Sequence, residues 1–235
     1  MSNQSPPSDR HLSFFDGAVV AKVLAHPTRA FAVEVTFQLD HPLLRALGSR
    51  RPPAHFHPYQ NEYFEVLEGA LGVELEGEGD LVLGPEAGEL CIPRWRNHRI
   101  YQAATPAAAP PEGENGKDGR PSNNRVRVRV SGEENADVFR LDLMFFENWY
   151  AYEDAIVTGA EKLDIIQVMC MWDAGGSYLA VPWWVPCGKR LSQAAGVVVG
   201  RWVGGLLGYR PYQARWTSEW EAARTRMGTC ISFSR

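Results

Sequence analysis

Two histidines one residue apart, His55 and His57, are followed by Glu62 in the stretch PAHFHPYQNEYFEVLEG (residues 53–69). On a strand, residues i and i+2 point to one face, so both imidazoles can grip one ion. Pro58 to Asn61 reads as a turn, and Glu62 then opens a second strand on which it shares a face with the apolar Phe64 and Val66, while Glu65 and Glu68 point out. A carboxylate turned into an apolar interior is costly unless it is paired or bound to a metal. A further donor must come from another strand, and His98, in PRWRNHRIYQ (residues 93–102), is the best placed. Three imidazoles and one carboxylate suit a divalent transition metal: iron, manganese, nickel, copper or zinc. Redox chemistry, Lewis-acid catalysis and proton transfer are all open to such an ion.

Residues near these donors are candidates for holding a substrate. Tyr59 lies in the turn between the ligand strands, and Phe64, with Val66, Phe31, Val33 and Val35, can supply an apolar wall. Arg96 and Gln102 flank His98, and an arginine there can hold an acidic group. Glu62 is the expected catalytic carboxylate as well as a metal ligand. Glu147 is a further candidate for the mouth of the site, and Trp149, Tyr150 and Tyr152 can cap it or anchor the C-terminal helices. His11, His26 and His41 sit in terminal or turn-like contexts and read as surface residues.

The elements that must position these groups are mostly strands. Phe31, Val33, Val35, Phe37 and Leu39 alternate with polar residues, which predicts a half-buried strand over 29–39. Short strands are expected at 63–67, 71–75, 81–83, 90–92 and 98–103, with glycine turns between them, and again at 125–130 and 138–145. Residues 104–124 carry almost no large apolar side chains and read as a flexible insertion. Evenly spaced short strands suggest an antiparallel sandwich or barrel. After Phe146 the pattern turns helical, at 147–157 and 163–172. Glycines 196, 200, 204 and 208 recur every four residues through a run, 192–209, whose one charge is Arg201. On a helix they would let another backbone approach closely. The expectation is a helix packed on the barrel or at a dimer seam; a transmembrane span, and surface membrane contact helped by Trp183, Trp184 and Trp202, are the alternatives.

The chain has 235 residues, a net charge of −4 and 45% hydrophobic residues, which suits one globular domain with an appendage and gives no reason for a nucleic-acid partner. Cys91, Cys170, Cys187 and Cys230 are scattered without a CxxC pair and read as reduced thiols. The opening MSNQSPPSDR lacks the basic end and apolar run of a secretory signal, so a cytoplasmic location is expected, with membrane association through the C-terminal segment as the variant.

The donor residues resemble the cupin superfamily. Its first motif runs HxH, three or four residues, Glu, six residues, Gly; His55-Phe-His57, four residues, Glu62, six residues and Gly69 fit it throughout. In its second motif Pro93 and His98 fall in register, with Trp95 in place of a glycine and Gln102 in place of an asparagine. The C-terminal LLGYRPYQARWTSEW (residues 206–220) is similar to the tail of cupins encoded with fungal secondary-metabolite pathways. The resemblance implies a mostly β protein, an antiparallel jelly-roll barrel over 25–146 with the metal inside, preceded by an N-terminal segment (1–24) and followed by a C-terminal helical extension (147–235). It also implies a homodimer. The function expected is a metal-dependent enzyme acting on a small, largely apolar molecule, aromatic or polyketide-like. Dioxygenase-type oxidation leads; a redox-neutral isomerisation, cyclisation or decarboxylation, non-catalytic small-molecule binding, and an assembly role are the alternatives.

Overall fold

Alternating apolar and polar side chains build two antiparallel sheets in the computed structural model, which describes residues 10–48, 50–103, 125–230 and 233. One sheet has the order β1 (His11–Phe14), β2 (Val19–Leu24), β3 (Arg29–Gln38), β10 (Arg125–Glu133), β5 (Glu62–Glu68), β8 (Glu89–Ile92). The other has the order β11 (Tyr178–Leu179), β4 (His55–Phe56), β9 (His98–Gln102), β6 (Leu71–Leu75), β7 (Gly79–Leu83). Val33, Val35, Phe64, Val66 and Val128 of the first sheet and Leu71, Val73 and Leu75 of the second belong to one buried cluster. Each such side chain stabilises the fold by roughly 1.5–3 kcal/mol. The sheets face each other as a jelly-roll sandwich; hydrogen bonding does not close them into the expected barrel.

The valines of β10 point in and its arginines point out. Arg125, Arg127 and Arg129 pair with Glu68, Glu34 and Glu65 of the flanking strands. β1 and β2 lie ahead of residue 25, β2 pairing onto β3 and β1 onto β2, so the sheet begins earlier in the chain than the sequence pattern suggests. The insertion expected at 104–124 lies outside the described residues.

The strand expected at 138–145 does not form. Its alternating Phe139, Leu141, Leu143 and Phe145 fit a helix start as well, and Asp142 decides the matter by accepting the Phe145 N–H at 2.9 Å as N-cap of α2 (Leu143–Val157). Leu141 is buried in the approach loop, where the amide of Gln60 replaces a strand partner: its Oε1 accepts the Leu141 N–H at 2.6 Å and its Nε2 donates to the Leu141 carbonyl at 2.9 Å.

Beyond α2 the chain builds a helical lobe. It contains α3 (Ile165–Ala174), α4 (Gly188–Ala195), a π-helical stretch (Gly196–Val203), α5 (Gly204–Leu206) and α6 (Trp220–Gly228). The glycine face expected at 192–209 packs within the chain, on α3 and β11. A Cβ on Gly200 would lie 2.4 Å from the Met169 carbonyl oxygen, and one on Gly196 would lie 2.8 Å from the Tyr178 ring. Gly208, with φ of +90°, lies beyond the helix. Among the described residues no helix is long and apolar enough to cross a membrane.

Candidate metal centre

The donors come from both sheets. His55 on β4 stands directly opposite His98 on β9, and His57 follows two residues after His55. Glu62 opens β5 on the facing sheet, where it pairs with Gly132 and Ile92. One donor atom from each of the four residues falls within 4.8 Å of the others, and His57, Glu62 and His98 are buried. The imidazole centroids are 4.5 Å apart for His55 and His98, 5.0 Å for His55 and His57, and 5.2 Å for His57 and His98.

Each ring is anchored through the same nitrogen. His98 Nδ1 lies 2.9 Å from the Arg96 carbonyl, His57 Nδ1 3.4 Å from the Gly176 carbonyl and 3.2 Å from the Ser177 hydroxyl, and His55 Nδ1 3.4 Å from the Pro53 carbonyl. A carbonyl only accepts, so Nδ1 carries the proton and the Nε2 lone pairs are left to converge. His98 Nε2 is 3.0 Å and His57 Nε2 3.4 Å from Glu62 Oε2. His57 Nε2 is buried and makes no hydrogen bond. An orphaned buried lone pair beside a carboxylate fits a cation.

Burial first, then the neighbouring His98 and His57, push the His55 imidazole well below its usual range and keep it neutral, the form that binds metal. Burial alone would raise the Glu62 carboxyl, but the adjoining His57 and His98 outweigh it and hold it far below the usual carboxylate range.

The turn at Trp95 shows how the second motif survives without its glycine. Trp95 holds φ of +67°, the left-handed region that glycine favours, at a cost of about 1–2 kcal/mol. Its N–H donates to the His57 carbonyl at 2.9 Å. Its ring stacks on Phe56 with centroids 5.4 Å apart, and the Arg190 guanidinium sits 4.2 Å over it.

The other sequence candidates divide. Phe64 is 2% exposed and belongs to the core between the sheets. Tyr59 packs on Gly176 and accepts from Gln193 Nε2 at 2.7 Å, so it braces the segment that holds His57. The guanidinium of Arg96 is turned outward, to the Glu76 carbonyl at 2.6 Å and Glu78 at 2.9 Å; only its backbone carbonyl serves the site. Gln102 lies four residues beyond His98, on an apolar groove of about 180 Å³ lined also by Leu39, Leu44 and Ile100. Glu147 is buried in α2, held by Ser218 and Arg10. His41 caps α1 (Pro42–Leu47). A larger cavity of about 560 Å³, lined by Gln167, Arg210 and Trp220, lies in the helical lobe. Neither recess includes a donor residue; converging lone pairs, not volume, mark the centre.

What the sequence did not reveal comes from the lobe. Gly176 and Ser177 reach His57 from more than a hundred residues away, and β11 extends the sheet beside β4. Trp172 on α3 meets His55 edge-on, centroids 5.5 Å apart, and Trp149 packs behind it at 5.3 Å. A second aromatic group continues from the Glu62 side. The Phe31 ring occupies the space above Gly132, the partner of Glu62; Phe146 lies 6.4 Å from it and Tyr150 4.4 Å further on. Phe146, Tyr150, Glu153 and Val157 share one face of α2, and the apolar three pack on the sandwich core.

Glu153 therefore directs a carboxyl inward, and among the described residues no hydrogen bond or ion pair reaches it. Burial pushes it up to about 8. Burial, then the charges of Glu153 and Glu62, also push the Tyr150 phenol up, so Tyr150 feels both carboxylates. His55, Tyr150 and Glu153 are each half-buried.

No family model matches the chain. It is 38% identical over 220 residues to a probable oxidoreductase of Aspergillus niger, yanE, covering 92% of this chain and 79% of that protein. It is 36% identical over 220 residues to an oxidoreductase of Arthrobotrys oligospora, covering 92% of this chain and 81% of that protein. It is 36% identical over 176 residues to the epoxidase atD of Aspergillus terreus, covering 75% of this chain and 50% of the epoxidase. Alignable solved structures include the cupin domain of Schizosaccharomyces pombe Cnp3, with 14% identity and a TM-score of 0.33 over 55% of this chain and 71% of that one.

Proposed function

The chain belongs to a family of fungal oxidoreductases, and from that premise, with the cupin-like spacing of His55, His57 and Glu62, we propose that it is a metal-dependent enzyme performing dioxygenase-type oxidation of a small, largely apolar molecule, aromatic or polyketide-like. One observation carries the reading: three imidazoles anchored through Nδ1 leave their Nε2 atoms, with the Glu62 carboxylate, to hold one ion. Iron leads among the divalent transition metals because the proposed reaction is an oxidation, with manganese, nickel, copper and zinc behind it. When bound, such a metal supplies Lewis-acid polarisation or one-electron exchange to a ligand beside it.

The chain's own groups divide the remaining work. Trp172 on the His55 side, and Phe31, Phe146 and Tyr150 on the Glu62 side, offer aromatic faces to an apolar substrate and exclude water. Glu153 keeps its proton at neutral pH and can donate it in a hydrogen bond to a substrate carbonyl or enolate oxygen. The same proton-bearing carboxyl supports a second reading, a redox-neutral isomerisation or decarboxylation.

Protein purified without chelators is expected to carry close to one transition-metal ion per chain by elemental analysis. His57→Ala should lower that content at least about tenfold while the circular dichroism spectrum is retained. Full metal content in the variant would overturn the metal reading. Oxygen uptake during turnover separates the two reactions: uptake matching substrate loss supports the oxidation, and turnover without uptake supports the rearrangement. A protein that binds metal and ligand but turns nothing over is a binding module.

A further inference from the structure

We propose that the outer face of the helix spanning residues 188–206, together with the Trp183–Trp184 turn, docks onto an anionic lipid surface, the helix lying in the plane of the headgroups.

The helix has two unlike sides. Its glycine side is consumed within the chain: Gly196, Gly200 and Gly204 are buried against Tyr178, the backbone at Met169, and Ile166. The opposite side is apolar and uncovered. Leu191, Val198, Trp202 and Leu206 recur at intervals of seven, four and four residues along it, and each is at least 42% exposed. Trp183, 94% exposed, and Trp184, 67% exposed, project from the proline-flanked turn just ahead of it. A water-facing helix is normally polar on that side, so an apolar stripe this long marks an interaction surface.

Charge selects the partner. From residue 174 to residue 218 the chain carries five basic side chains, Lys189, Arg190, Arg201, Arg210 and Arg215, and no acidic one. The whole chain is −4, so the remainder is −9 and the charge is sharply divided. Some of the five are paired from outside the segment: Lys189 with Glu76, Arg201 with the buried Asp173, and Arg215 with Glu161. Arg190 is exposed and meets the Trp95 ring and Gln193 but no carboxylate among the described residues. A two-fold pairing of this face with a second copy would oppose basic segment to basic segment. An anionic bilayer instead receives the tryptophans at headgroup level, the aliphatic stripe below them and the cations at its charged rim. No helix among the described residues can span, so the contact lies on the surface.

Flotation of the full chain with vesicles tests this, using phosphatidylcholine alone and phosphatidylcholine with about one-third phosphatidylserine. The expected result is at least about tenfold stronger binding to the anionic vesicles, weakening as salt rises. Trp202→Glu, and separately the double change Trp183→Ala with Trp184→Ala, should each reduce binding about tenfold or more. Metal content and circular dichroism should not change, which separates this surface from the metal centre. Equal binding to both vesicles, or binding to neither, overturns the proposal. So does a dimer in sedimentation that Trp202→Glu dissolves without any vesicle binding, because the occupant is then a second copy.

Discussion

The sandwich and the helical lobe both bury carboxylates, and they satisfy them in opposite ways. In the lobe, Asp173 is fully buried and accepts from Arg201 Nε at 2.7 Å, Arg201 Nη2 at 2.9 Å and the Tyr178 hydroxyl at 2.9 Å. Glu147 takes the Ser218 hydroxyl and N–H and pairs with Arg10, and Asp142 caps α2 while pairing with Arg226. Each has a permanent cation. Among the described residues Glu62 meets only imidazole nitrogens, which are cationic only when protonated. A network closed by guanidinium groups locks a structure. A carboxylate with no guanidinium partner leaves its charge free to meet an ion.

The sharpest way to break this contrast is to neutralise one carboxylate of each kind. Asp173→Asn leaves Arg201, about four-fifths buried, without its counter-charge, and should destabilise the fold by about 3 kcal/mol in urea titration. Glu62→Gln in metal-free protein at pH 8 should move stability by less than about 1 kcal/mol, because the new amide N–H can donate to an imidazole Nε2 lone pair. The same change should lower metal affinity at least about tenfold. Equal destabilisation by the two changes would mean that Glu62 is structural too.

The two regions also differ in how far the sequence revealed them. The donors were legible because their spacing, His55, His57 and Glu62, falls on two consecutive strands whose period fixes the inward faces. His98 was legible from its motif and lies directly across from His55. The brace on His57 was not: Gly176 and Ser177 carry no local signal, and only the packing of the lobe on β4 brings them close. Arg96 and Gln102 misled because nearness in sequence to His98 says nothing about where long side chains end. Arg96 found outward carboxylates, and Gln102 stands a strand's length from the donors. The segment 138–145 misled because its spacing fits two periods, and a cap at Asp142 chose the helix.

Glu153 extends the contrast to a carboxyl with neither cation nor histidine. Its folded value of about 8 lies above the unfolded 4.5, so the folded chain keeps a proton that the unfolded chain releases across that window. Stability should therefore fall as pH rises from about 4.5 to about 8 on account of this group. Glu153→Gln removes the penalty. The variant should match the parent at pH 4 and exceed it by on the order of 1–3 kcal/mol at pH 9 in denaturant titrations. A variant no more stable at pH 9 would mean that the carboxyl is solvated and ionised. If Glu153 supplies the substrate's hydrogen bond, the same variant should lose more turnover at pH 6 than above pH 8, where the parent has lost its proton as well.

The smallest expected effects test how each imidazole is held. His98 Nδ1 is anchored by a backbone carbonyl, which no side-chain change removes, whereas His57 Nδ1 is anchored partly by the Ser177 hydroxyl at 3.2 Å. Ser177→Ala should therefore weaken metal binding by up to about tenfold, measured by competition with a chelator, with His57 kept in place by the Gly176 carbonyl. Arg96→Ala should leave metal affinity unchanged and shift stability by no more than about 0.5 kcal/mol, because its pair with Glu78 is solvent-exposed. The reverse order, with Arg96 mattering more than Ser177, would mean that the arginine turns inward when substrate binds. The site would then be built from the strand flanking His98 rather than braced from the lobe.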